Sequence, residues 1–221
     1  MTIQVDGIEL FYEKVGEGRP LVMLHGNGED HTIFREASEV LKDAFTCYLV
    51  DSRGHGQSQP VTELHYDEMA EDITAFIAKL GLQDVILYGF SDGGIVGLMA
   101  AQQCDAITDL IVSGANLTPR GLKTGCRIRL WLEYLLRHDP KVRMMLREPQ
   151  MEEESLRSIR AKTLVLAGSR DLIAERETRR IAGAVPGAEL RILKGENHGS
   201  YIVHQTRIAE LIRDFCLPQS C

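Results

Sequence analysis

Apolar residues in this chain fall into short unbroken runs separated by stretches of helical periodicity. The runs at residues 21–24, 45–50, 85–88, 107–112, 163–167 and 190–193 lack the polar alternation of a half-exposed strand. Such runs predict strands covered on both faces by helices. The first residues differ: 3–5 and 9–12 alternate on either side of Asp6-Gly7, a dipeptide that favours a tight hairpin turn, so the chain is expected to open with an antiparallel edge. The clearest helix is at 66–80, where Met69, Ile73, Phe76, Ile77 and Leu80 share one face and Glu71, Asp72 and Lys79 take the other. Residues 95–102 also read as a helix. Strand and helix alternating in this way predict parallel strands joined by right-handed crossovers, with helices on both faces of the sheet. Ligands then belong beyond the carboxyl ends of the strands.

Residues 118–158 break the rhythm. They carry no strand pattern, although 128–137 and 141–147 read as helices, so they are expected to form a short helical cap inserted into a core made of residues 1–117 and 159–221. Leu130, Trp131, Leu132, Leu135 and Leu136 are too apolar to be left together in water, and this helix is expected to bury a face against the core and wall a pocket. Basic residues such as Arg127, Arg129, Arg137 and Lys141 outnumber acids in the segment. They either line the pocket entrance, favouring acidic compounds, or form an ordinary solvated face.

Composition narrows the classes. Hydrophobic residues at 44% and charged residues at 26% suit a folded domain and exclude a disordered chain. The net charge of −7 works against nucleic acid as a partner, since phosphate binding needs a basic face. No apolar run approaches the roughly 20 residues of a membrane span. The first residues lack the basic start and apolar stretch of a secretory signal, and a cytoplasmic location is expected. Five scattered cysteines, Cys47, Cys104, Cys126, Cys216 and Cys221, suggest neither disulfides nor a zinc site and read as reduced, mostly buried small residues. No phosphate loop, dinucleotide fingerprint or spaced metal ligands are present, so no cofactor is expected. Oligomeric state has no signature here.

The strongest chemical signal is Gly89-Phe90-Ser91-Asp92-Gly93, set between the apolar strand 85–88 and the helix that follows. A serine on a sharp strand-to-helix turn needs small neighbours two residues before and after, and the turn presents its hydroxyl at the sheet edge beside a helix N-terminus. An acyl-transfer site also needs two preorganised N–H donors for the developing oxyanion. Strand 21–24 runs into His25-Gly26-Asn27-Gly28, a loop able to offer the Asn27 amide while the elbow offers that of Asp92.

Together with Asp51-Ser52-Arg53-Gly54-His55-Gly56-Gln57-Ser58, Gly168-Ser169-Arg170-Asp171 and Asn197-His198-Gly199, these motifs resemble the α/β-hydrolase superfamily over nearly the whole chain. The resemblance implies a three-layer α/β-hydrolase fold, with Ser91 as nucleophile, Asp171 as acid and His198 as base, in the family's order along the chain. The strand runs agree, because 163–167 ends just before Asp171 and 190–193 just before His198, which brings both loops to the edge that carries Ser91. Glu175 is the nearby alternative carboxylate; Ser113-Gly114-Ala115-Asn116 offers none. Arg53 and His55 are expected to brace the site.

The implied activity is that of a serine hydrolase on a small-molecule ester, thioester or lactone, working through an acyl-enzyme. Transfer to another acceptor and carbon–carbon bond hydrolysis use the same triad. A ligand-binding or signalling protein that keeps the fold with negligible turnover is the reading from another class. Serine at position 91 argues against the alkyl-enzyme chemistry of an aspartate nucleophile.

Overall fold

The computed structural model describes residues 1–217, which leaves Cys221 outside. Its eight strands are β1 (Thr2–Val5), β2 (Ile8–Val15), β3 (Arg19–Leu24), β4 (Phe45–Val50), β5 (Val85–Phe90), β6 (Ile107–Ser113), β7 (Lys162–Gly168) and β8 (Glu189–Leu193). They form one sheet in the order β1-β2-β4-β3-β5-β6-β7-β8. β1 and β2 pair antiparallel, as do β2 and β4, and the remaining strands run parallel. The hairpin turns at Asp6 and Gly7, both at positive φ (42° and 88°), the backbone that a two-residue turn between twisted strands demands.

Successive residues of the parallel strands supply opposite cores. Val22, Leu24, Leu87 and Val112 meet one apolar layer, and Met23, Ile86, Tyr88 and Ile111 meet the other. Helices α2 (Tyr66–Lys79), α3 (Asp92–Ala101) and α6 (Glu175–Ala184) cover the first face, and α1 (Arg35–Leu41) and α7 (Arg207–Cys216) the second. This is the three-layer arrangement expected from the runs. Two helices, α1 and α7, escaped the sequence reading; Ile208, Ala209, Ile212 and Phe215 of α7 are buried at helical spacing, a signal that was there to be read.

Two further expectations need correction. Asp72 does not face water: it is buried on α2, where its carboxylate accepts two hydrogen bonds from Arg53 at 2.6 and 2.7 Å. A charge can enter a helix's inner face when a fork of N–H donors meets it there. Of the described cysteines only Cys47 is fully buried, and Cys104, Cys126 and Cys216 are half-buried.

Between β6 and β7 lie a 3-10 turn at Pro119–Gly121, helices α4 (Thr124–Arg137) and α5 (Pro140–Arg147), and a second 3-10 turn at Ser155–Ser158. The expected burial of α4 is overturned. None of its residues is buried, and Trp131 is 54% exposed and Leu136 84%. Periodicity finds an apolar stripe but not the side it faces. Here α4 is held at its N-terminus, where the Lys123 N–H donates to Leu172 O at 2.9 Å, and along one side by α5, into which His138, left-handed at φ 50°, turns the chain. The half-buried side is Cys126, Leu130, Glu133 and Tyr134, and Ile128, Trp131, Leu132, Leu135 and Leu136 lie outward.

Candidate active site

Strand β5 delivers Ser91 into a backbone with φ 55° and ψ −115° at the N-terminus of α3. This strained conformation persists because its surroundings over-determine it. The Ser91 N–H donates to Ser113 O at 2.7 Å, and the Gly93 N–H donates to His25 O at 3.1 Å. A Cβ on Gly89 would collide with the carbonyl of Gly93, and one on Gly93 with that of Leu24. The glycines flanking the serine are therefore demanded by backbone-to-backbone approach.

The structure brings Ser91, Asp171 and His198 together from three strand ends. His198 Nε2 lies 3.0 Å from Ser91 Oγ, and Nδ1 lies 2.7 Å from Asp171 Oδ1. A carboxylate only accepts, so Nδ1 carries the proton and Nε2 is free to accept from the serine hydroxyl. Asp171 is buried, and its Oδ1 also accepts from the Ile173 N–H at 2.9 Å. Phe90 packs against the imidazole with ring centroids 4.9 Å apart. Gly114, at φ 64°, leaves room for that ring: a Cβ there would lie 2.8 Å from His198 Nδ1. Glu175 opens α6 and forms an ion pair with Arg179 at 2.6 Å, so it is engaged elsewhere.

The loop after β3 meets the elbow. The Asn27 side-chain amide donates to Asp92 Oδ2 at 2.8 Å, and the Tyr66 hydroxyl approaches the same carboxylate. Asp92 is wholly buried, and burial pushes its pKa up to about 6. Among the described residues, the backbone N–H groups of Asn27 and Asp92 have no acceptor. Both border the turn that holds Ser91 at the N-terminal end of α3, where donors and helix dipole favour negative charge.

Bracing runs one layer deeper. His25 is buried, its Nε2 accepting from the Ser52 N–H at 3.1 Å and its Nδ1 bonding Gly26 O at 2.8 Å; burial lowers its pKa. His55 packs on it with ring centroids 5.2 Å apart, and burial brings its pKa down to about 4. Arg53 ties the loop to α2 through Glu68 and Asp72. Arg53 and His55 thus touch the supports of the site and not the serine. Asp30, His31 and Asp51 cluster as three potential metal donors, but Asp51 already accepts from the His31 N–H, the His31 ring and the Gln57 N–H. The cluster reads as a loop brace.

Ser91 and His198 open onto a cavity of about 560 Å³. Its lining includes Glu29, which the sequence reading passed over although it follows the Asn27 loop directly. Glu29 Oε2 accepts from the Gly26 N–H at 2.9 Å, and burial raises its pKa. Arg129, Arg137 and Lys141 face the same cavity with Glu29, Glu133 and Asp139. The mouth is mixed in charge, not basic. Arg127 lies elsewhere: Thr124, Arg127, Ile128 and Trp131, at i, i+3, i+4 and i+7, face a second cleft. Helix α4 is a partition with one face on each cavity, and Met145 of α5 borders both.

Residues 19–143 match the family model described as alpha/beta hydrolase fold. Among curated relatives, an AB hydrolase superfamily protein of Bacillus subtilis, YisY, is 27% identical over 94% of this chain and 95% of its own length. The non-heme chloroperoxidase CPO-A1 of Kitasatospora aureofaciens is 36% identical over 40% of this chain, which spans 33% of that protein. An esterase from Exiguobacterium antarcticum superposes with a TM-score of 0.84 at 21% identity, over 97% of this chain and 98% of its own.

Proposed function

Starting from the fact that the chain belongs to the alpha/beta hydrolase fold family, we propose that it is a serine hydrolase that cleaves a small carboxylic ester, thioester or lactone. The observation that carries this reading is the unbroken hydrogen-bond chain from Ser91 through His198 to Asp171, beside two N–H groups that have no acceptor among the described residues. His198 takes the Ser91 proton as Oγ attacks the carbonyl carbon. The Asn27 and Asp92 amides receive the oxyanion, and Asp171 stabilises the imidazolium. His198 then protonates the leaving group, and water repeats the sequence to release the acid and free Ser91. Residues 118–158 act as a short cap, with α4 and α5 bounding the acyl site. Est816, whose structure is titled an N-acyl homoserine lactone degrading enzyme, and an enol-lactonase from Burkholderia xenovorans share the fold, which keeps lactones within the proposed class.

The test is turnover of short-chain nitrophenyl esters and small lactones, with reaction of a fluorophosphonate probe read in parallel. The reading expects both to occur in the wild type and both to vanish in Ser91→Ala. Probe labelling without turnover of any ester or lactone would favour a binding protein, and labelling that survives Ser91→Ala would overturn the mechanism.

A further inference from the structure

The second cleft is larger than the one that holds Ser91, about 800 Å³, and falls within the range of roughly 300–1,000 Å³ usual for small-molecule sites. It lies between α4, α5 and the turn at Pro119–Gly121. Ile128 and Trp131 line it from one side and Met145 and Leu146 from the other, with Arg120 and Arg127 also bordering it. Of the cations on α4 and α5, Arg137 pairs with Glu133 and Arg143 with Glu63, whereas Arg129, Lys141 and Arg147, none of which borders this cleft, have no carboxylate partner among the described residues. Among the described residues, Arg120 and Arg127 have no such partner. Two unpaired guanidinium groups thus border an apolar trough in a chain of net charge −7.

We propose that this cleft binds a single-chain anionic amphiphile, such as a medium-chain carboxylate, with its apolar tail against Ile128, Trp131, Met145 and Leu146 and its anionic head at Arg120 and Arg127. Charge selects this occupant. A second copy docking by the same face would bring two basic rims together, whereas an anion neutralises them and uses the bidentate donor geometry that guanidinium offers to carboxylates. The apolar walls, half-exposed as they stand, account for the tail. The site is separate from the serine chemistry, so its occupancy does not depend on the proposed function.

Trp131 is the chain's single tryptophan, so its emission reports this cleft directly. Decanoate and decan-1-ol are titrated, below their aggregation limits, into the Ser91→Ala protein, in which turnover plays no part. The expected result is a saturable blue shift, with decanoate binding about five- to tenfold tighter than the alcohol and affinity rising roughly threefold per methylene along a chain-length series. Arg120→Gln with Arg127→Gln should remove the preference for the anion and leave binding of the alcohol. Both arginines are exposed, so the fold stays intact, as circular dichroism would verify. The proposal falls if neither compound gives a saturable shift or if the double variant keeps the preference. It also falls if the emission moves only with anionic vesicles, the mark of a membrane-docking face, or only with protein concentration, the mark of self-association.

Discussion

The elbow and the helix α4 lie on opposite sides of one cavity and are built by opposite rules. Around Ser91 the backbone is held on every side but one, the uncommitted N–H groups of Asn27 and Asp92: strands β3, β5 and β6 clamp the turn, glycines stand where a Cβ would strike a carbonyl, and the flanking residues of α3 are buried. Helix α4 has no buried residue, packs mainly against α5, and leaves Leu132, Leu135 and Leu136 in water. The candidate triad sits where packing fixes geometry; the helix that bounds its cavity sits where packing asks almost nothing. Substitution can therefore change the wall freely, whereas at the elbow a single methyl group is felt.

The sharpest break should come inside the elbow's constellation. Asp171→Asn, which keeps the shape but lets His198 take the wrong tautomer, is expected to lower kcat for ester hydrolysis by about 10³- to 10⁴-fold with the melting curve nearly unchanged; steady-state kinetics and calorimetry check this. Next, Gly89→Ala drives a methyl group into the Gly93 carbonyl and should cost about 3 kcal/mol or more of stability, read from urea unfolding.

Asp92→Asn tests the buried carboxyl at the heart of the same region. Its pKa rises from the usual 3.8 to about 6 in the fold, so the native state holds a proton that the unfolded chain releases. Stability from this group is complete below pH 4 and is lost as pH rises through 6. The asparagine keeps an acceptor for the Asn27 amide and cannot ionise. Its advantage over the wild type should grow by up to about 3 kcal/mol between pH 4 and pH 7. Urea midpoints across that range measure it, and a constant gap would mean that Asp92 is already ionised at pH 4.

On the wall, Leu132→Gln with Leu136→Gln should shift stability by less than about 0.5 kcal/mol and leave kcat for a short ester unchanged. A loss of several kcal/mol would show that the outward stripe is packed after all.

The same contrast sets what could be read in the sequence. β3, β5 and β7 were legible because strands covered on both faces leave unbroken apolar runs, and the elbow because its turn restricts residue type on both sides of the serine. Asp171 and His198 were named through the resemblance to the α/β-hydrolase superfamily, and the ends of strands 163–167 and 190–193 agreed by bringing both loops to the edge that carries Ser91. The orientation of α4 did not follow: Ile128, Trp131, Leu132 and Leu135 form as regular a stripe as any core helix, and the tether at Lys123 together with packing against α5, neither visible in the pattern, decides which way it points. Asp72 was misplaced for a related reason, since its partner Arg53 is 19 residues away along the chain. Glu29 carried no motif of its own, being one residue past the loop that drew attention.

The account's central claim is that Ser91 Oγ becomes acylated. Rapid mixing with p-nitrophenyl acetate, acid quenching and intact-mass measurement should show one acetyl group added to the wild-type chain, mapped to the peptide that contains Ser91, and no addition to Ser91→Ala. Retention of the acetyl group by the Ser91→Ala protein, or hydrolysis by the wild type with no acyl adduct at any quench time and no burst of nitrophenol, would contradict it.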